Sequence, residues 1–157
     1  MKKPVILAGI LFLFDQITKY LIDVFIPYGN SINIIPFFDL FNMTHVRNTG
    51  VAFSFFQGRN LTFTIFTAAV LAFFCVWLYR NRNAVSKLQM YAFCIVIAGG
   101  AGNMIDRIFR GAVVDFLDFG INALRWPSFN AADSCICVGA FLIIIDLAKP
   151  LFRKKSN

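Results

Sequence analysis

The stretch LQMYAFCIVIAGGAGNMIDRI, residues 88–108, decides the fold class. It carries no charge until Asp106 and Arg107. A helix rises about 1.5 Å per residue, so about 20 apolar residues cross a ~30 Å hydrocarbon core. Gly99, Gly100 and Gly102 leave room for a second helix to approach closely. Asp106 and Arg107 are neighbours in sequence, and neighbours on a helix do not face the same way. Arg107 is expected to reach inward while Asp106 caps the helix or pairs elsewhere. A terminus held only by polar contacts fits the same residues.

Three further apolar runs flank this one, at residues 5–26, 61–79 and 131–147. The fourth is the shortest and is expected to start within the polar residues before it. The whole chain of 157 residues is 59% hydrophobic, with a mean hydropathy of +0.70. A soluble domain holds roughly 45–50% apolar residues. The composition therefore points into a membrane, with residues 1–157 forming one integral membrane unit. The start, MKKPVILAGILFLF, imitates a signal peptide, but no small-residue cleavage site follows and the apolar run continues into DQITKY. It reads as an uncleaved first span.

Lys and Arg set the orientation. Lys2 and Lys3 precede the first span, Arg80, Arg82 and Lys87 lie between the second and third, and Lys149, Arg153, Lys154 and Lys155 follow the fourth. Those nine share one side; Arg47, Arg59, Arg107, Arg110 and Arg125 make five on the other. Both termini are therefore expected in the cytoplasm, with residues 27–60 and 109–130 outside. The net charge of +7 is then mostly an inside anchor, and no nucleic-acid partner is implied. Ile34–Leu40, Met43–Phe56 and Val113–Phe119 are rich in aromatic and β-branched residues, and Asn48-Thr49-Gly50 supplies a break. The expected fold is a membrane α-helical protein: four transmembrane helices, with a small extracytoplasmic β-sheet and loop at the membrane surface.

The residue inventory narrows the chemistry. The chain has one His, His45, and all eight acids are Asp, so a HExxH zinc site is impossible. His45 is expected as an interfacial side chain on a strand. No GxSxG is present, and a Ser–Lys pair would need Lys19, which Asp15 neutralises one helical turn away. Cys75, Cys94, Cys135 and Cys137 all fall in apolar runs and read as small hydrophobes, without a disulfide or metal site. Carboxylate pairs remain. Two carboxylates that meet can share a proton and activate a water.

Asp115 in GAVVDFLDFG and Asp133 in PSFNAAD lie on the outer side, where apolar segments meet water. Carboxylates near a bilayer are costly, and those that persist there usually work. Each has a plain alternative. Asp115 can be a solvated loop acid. Asn130 is a natural N-cap with Asp133 at N3, where a negative charge suits the helix dipole. Asp118, three residues on in a strand, points away from Asp115. Asp15, Lys19 and Asp23 recur at i, i+4 and i+8, a polar stripe that reads as a structural ion pair facing the bundle.

The ordered motifs DQITK, VRNTGVAF, GNMIDR, VVDF and FNAAD resemble those of bacterial lipoprotein signal peptidase, also called signal peptidase II. The match runs from residue 15 to 133 with the same four-span layout. Ala101 departs from the larger aliphatic usual before Gly-Asn, without touching the chemistry.

The resemblance implies an intramembrane aspartic protease of the bacterial cytoplasmic (inner) membrane, with its active site near the outer face. It would cut prolipoproteins just before a cysteine bearing diacylglycerol, with no cofactor and no metal. By motif position, Asp115 and Asp133 are the catalytic pair. Asn48, Asn103, Arg107 and Asn130 match polar pocket positions, and Asp106 matches a non-catalytic one. Sensitivity to globomycin-type cyclic peptides is implied too.

Two other classes compete. A small transporter or proton relay would carry carboxylates deep in several spans and often an internal repeat, whereas here only Asp15 is near mid-span and no repeat is visible. A non-catalytic assembly protein is the third reading.

Overall fold

The computed structural model describes residues 2–50 and 58–153. Its frame is four helices, α1 (Lys2–Phe25), α2 (Asn60–Arg80), α3 (Lys87–Phe109) and α4 (Ala131–Arg153). Each is long and apolar enough to cross a membrane. The helix ends lie close to those expected, except at the fourth span. α4 runs to Arg153, and α2, at 21 residues, is the shortest. α4 also starts at Ala131 rather than within the polar residues before it, because Asn130 is its cap. The Asn130 side chain accepts the Asp133 N–H (2.9 Å).

The helix rich in small residues is the central one. α1, α2 and α4 all pack on α3. A Cβ on Gly99 would run into the Ala132 carbonyl, and one on Gly102 would run into the Asp15 carboxylate. Those two glycines set how closely α4 and α1 approach. The outward faces of α1, α2 and α4 expose Ile10, Phe14, Ile65, Phe73, Phe141 and Ile144, as a lipid-facing surface requires. Ser86 opens α3 with a capping box, its side chain accepting from Gln89 N–H while Gln89 reaches back to the Ser86 N–H. Gly111, at φ 74°, turns the chain out of α3 and into the sheet.

The sheet is antiparallel with strand order β1 (Ser31–Ile35), β2 (Phe41–Asn48), β3 (Val113–Ile121) and β4 (Leu124–Arg125). Val114 and Phe116 on β3 pack with Ile22 and Ile26, which seats the sheet on the C-terminal end of α1. Ile34–Leu40 is not one strand. β1 stops at Ile35, and Phe37–Asp39 form a 3-10 turn after Pro36, which has no N–H to give a ladder. β2 ends at Asn48. Val51–Phe56, the remainder of the expected second strand, lie outside the described residues.

His45 is also not interfacial. It is 2% exposed, with Nδ1 2.7 Å from the Ile26 carbonyl oxygen. Its Nε2 is 3.0 Å from Asp23 Oδ1, too bent an approach for a hydrogen bond. The polar stripe of α1 therefore divides. Asp15 and Lys19 turn into the bundle, and Asp23 turns toward His45, Arg47 and Arg110 beneath the sheet.

Candidate active site

Three elements meet at the sheet end of the bundle: the last turns of α3, strand β3 and the first turn of α4. β3 brings Asp115 in, and α4 brings Asp133. Asn130 ties them together. Its Nδ2 donates to Asp115 Oδ1 (2.7 Å), its Oδ1 accepts from Asp133 N–H, and its own backbone N–H donates to Asp133 Oδ2 (3.2 Å). The capping geometry and the facing of the two acids are thus the same set of bonds. Asn130 is fully buried and lies behind the carboxylates.

Two more asparagines complete the frame. Asn48, at the end of β2, donates to Asp115 Oδ2 (3.0 Å), and its Oδ1 is held by the Gly50 N–H (2.9 Å). Asn103 donates to Asp133 Oδ1 (2.7 Å). The orientation of its amide is dictated from behind, because Lys19 Nζ, a pure donor, meets Asn103 Oδ1 at 3.0 Å. Lys19 spends its other two protons on Asp15 Oδ2 (2.9 Å) and Asp106 Oδ2 (2.8 Å). Asp15 Oδ1 in turn accepts the Ala132 N–H (2.8 Å) at the start of α4. Asp106 also meets Arg110. The buried charges Asp15, Lys19 and Asp106 therefore sit one asparagine away from the acids.

A cavity of about 490 Å³ opens in front of this frame. Asn48, Asn103, Arg107, Asp115 and Asp133 all line it. Arg107 Nη2 donates to the Gly50 carbonyl (3.1 Å), while its buried Nε has no partner among the described residues. The rest of the wall is mostly apolar, including Trp126, Pro127, Phe129, Ile136 and Val138. Sequence reasoning did not single out these residues, since an apolar lining has no spacing of its own. Asp118 stays apart, held by Arg125 Nε at 2.8 Å.

Burial pushes the Asp115 carboxyl up from 3.8 to about 7. The charge on Asp133 adds to the rise, and the bonds from Asn48 and Asn130 oppose it. A carboxyl poised near neutrality beside a second acid suits proton transfer to and from a bound molecule.

A family description for signal peptidase (SPase) II matches residues 7–149. The lipoprotein signal peptidase of Actinobacillus succinogenes is 41% identical over 154 residues, covering 96% of this chain and 92% of its own. That of Haemophilus influenzae (strain Rd) is 38% identical, covering 96% of this chain and 88% of its own. A bacterial membrane enzyme solved by the in meso method superposes with a TM-score of 0.88 at 34% identity. The alignment covers 100% of this chain and 94% of that one. Agreement over nearly the full length, in sequence and in fold, has one meaning: the chain belongs to the signal peptidase II family.

Proposed function

We propose that this membrane protein removes signal peptides from prolipoproteins by aspartic endopeptidase chemistry, with Asp115 and Asp133 as its acid–base pair. The observation that carries the assignment is one cavity lined by both carboxylates and by Asn48, Asn103 and Arg107. Asp133 in its ionised form takes a proton from water, and the oxygen attacks the scissile carbonyl. Asp115 gives its proton to the carbonyl oxygen. When the tetrahedral centre collapses, the proton held by Asp133 passes to the leaving amine and Asp115 regains its own. Neither metal nor acyl-enzyme is required. Arg107, whose Nε has no partner among the described residues, lines the cavity and offers its guanidinium to a substrate carbonyl or ester oxygen. Asn130 acts from behind as a positioning residue.

The scissile bond lies just before a cysteine bearing diacylglycerol, and the acyl chains rest against the apolar wall of Trp126, Phe129, Ile136 and Val138. Globomycin-type cyclic peptides compete for the same cavity. The test is cleavage of a purified prolipoprotein by the purified protein with EDTA present. The lipidated form should be cut at least about tenfold faster in kcat/KM than the form with a bare cysteine, since each buried CH₂ is worth ~0.8 kcal/mol. Equal rates would refute lipid recognition. Loss of activity in EDTA, restored by zinc, would refute the aspartic mechanism.

The pH profile follows from Asp115. A general acid must be protonated, so kcat/KM should fall as pH rises through about 7. It should fall again at low pH, where the pair as a whole holds two protons and no base is left to take one from water. Both apparent values belong to the pair. Asn48→Ala removes a bond that favours ionised Asp115, so the alkaline limb should move to higher pH. An alkaline limb that stays fixed in this variant would contradict the role of Asp115 as acid.

Orientation follows from the basic residues. With nine of fifteen on one side, both termini lie in the cytoplasm of a bacterial cell and the dyad near the outer face of its inner membrane. A reporter fused after Asn157 should be cytoplasmic, and one inserted at Asn122, in the β3–β4 turn, should be external. The reverse pattern would place the acids away from exported substrates.

A further inference from the structure

The larger cavity among those described, about 610 Å³, is not at the acids. It lies at the other end of the bundle, where α1 and α3 begin, and is lined by Lys2, Lys3, Arg82 and Lys87 over Pro4, Val85, Met90 and Tyr91. We propose that this cavity binds the phosphate headgroup of an anionic phospholipid.

Charge comes first. None of Lys2, Lys3 and Lys87 is ion-paired with a described residue, and all three are exposed. Arg82 gives one N–H to the Tyr79 carbonyl (2.7 Å) and stacks 4.6 Å from the Tyr79 ring, which fixes its guanidinium and leaves further donors unspent. The acid at this end, Asp146, is already engaged. It accepts from Lys149 (2.6 Å) and from the Ser86 hydroxyl (2.8 Å). Ser86 also accepts from the Gln89 N–H, and its one hydroxyl proton is spent on Asp146. Four cations thus face one space with little internal neutralisation. The N-termini of two long helices, α1 and α3, add positive potential there.

Shape separates a lipid from a free anion. Pro4 and Met90 are buried and give the cavity an apolar floor below its cationic rim. A phosphodiester with a glycerol backbone presents the same order: charge outward, apolar chain toward the hydrocarbon. The start of a membrane span is where such a molecule stands. Orientation by basic residues needs only cations near the span ends. It does not need an open hollow of ligand size, for which 300–1,000 Å³ is typical. Basic pockets between spans take anionic headgroups in this way.

The test uses the full chain, purified in zwitterionic detergent and titrated by native mass spectrometry with three probes. These are dihexanoyl-phosphatidylglycerol, dihexanoyl-phosphatidylcholine and inorganic phosphate. The glycerol lipid should bind at least about tenfold tighter than either of the others. Its affinity should weaken as salt is raised. The triple variant Lys2→Gln/Lys3→Gln/Lys87→Gln should lose about tenfold or more for the anionic lipid alone, while the triple Arg variant keeps it. Signal-peptide cleavage in detergent should be unchanged in both. Equal binding of the two lipids would overturn the proposal, as would full retention in the Gln variant. Phosphate binding as tightly as the anionic lipid would make this a free-anion site and overturn it too. Should the Gln variant fail to fold, the three wild-type titrations still decide.

Discussion

Asp115→Asn and Asp133→Asn should each lower cleavage by about 10²–10⁴-fold, the range that positioned acid–base groups contribute. Neither should unfold the protein. The replacement is isosteric, so the packing of β3 and of the first turn of α4 is kept. What changes is donor and acceptor balance. Asp115 receives Nδ2 protons from both Asn48 and Asn130, and an amide at 115 offers an oxygen to only one of them. Leaving one buried donor unmet costs about 1–3 kcal/mol. At 133 an amide keeps one of two accepted bonds, from Asn103 or from the Asn130 N–H, so the cost is that of a weakened cap, about 1 kcal/mol. Melting in detergent should therefore shift modestly while activity disappears. Asp118→Asn is the control. It removes the charge that pairs with Arg125 at the sheet edge while keeping an oxygen for the Arg125 Nε, and should cut at close to the wild-type rate. If a gel-shift assay on lipidated substrate finds either dyad variant at more than about a tenth of wild-type activity, the two aspartates are not the acid–base pair.

The four spans were legible because each is an unbroken apolar run, and the hydrocarbon core sets one length for all of them. The end of α4 was not, since hydropathy stops at Leu147 while backbone hydrogen bonding continues the helix to Arg153. Around the acids, local patterns were readable and long-range ones were not. Asn130 and Asp133 are three residues apart, so their capping bonds follow from spacing. That the same Asn130 amide also grips Asp115 depends on how β3 lies against α4, and no spacing encodes that. The tie from Lys19 to Asn103 spans 84 residues. The i, i+4 spacing of Asp15 and Lys19 suggests an ion pair, and the two lie 2.9 Å apart, but that spacing gives no sign that the pair backs the acids. His45 was misread for a similar reason. A lone histidine on a strand is expected at an interface, but the seat of β2 over the end of α1 covers it. Pro36 shows the opposite case, where one residue's missing N–H overrides the β-like composition around it.

Lys19→Met should be the most destabilising single change in the bundle, costing about 3–5 kcal/mol, the usual result of orphaning a buried charge. Lys19 is 0% exposed, and its three protons meet three acceptors, on Asp15, Asp106 and Asn103. Removing it leaves two carboxylates inside a membrane bundle. They are not equally stranded. Asp106 keeps Arg110, whereas Asp15 keeps only neutral donors, the Ala132 N–H and Gln16 Nε2 (3.1 Å). Most of the loss should therefore belong to Asp15. Lys19→Met/Asp15→Asn, which removes that charge and retains an oxygen for the Ala132 N–H, should recover a large part of the stability. Activity should not recover in parallel. Asn103 Oδ1 loses its charged donor and keeps only the longer bond from Asn130 Nδ2 (3.2 Å), so the aim of its Nδ2 at Asp133 is held less firmly. The double variant should thus be folded, with kcat depressed and KM little changed. Unfolding titrations in mixed detergent and steady-state kinetics measure the two effects separately. A Lys19→Met protein as stable as wild type would mean that the Asp15–Lys19–Asp106 cluster contributes nothing. A double variant with full kcat would mean that its link to Asp133 through Asn103 is idle.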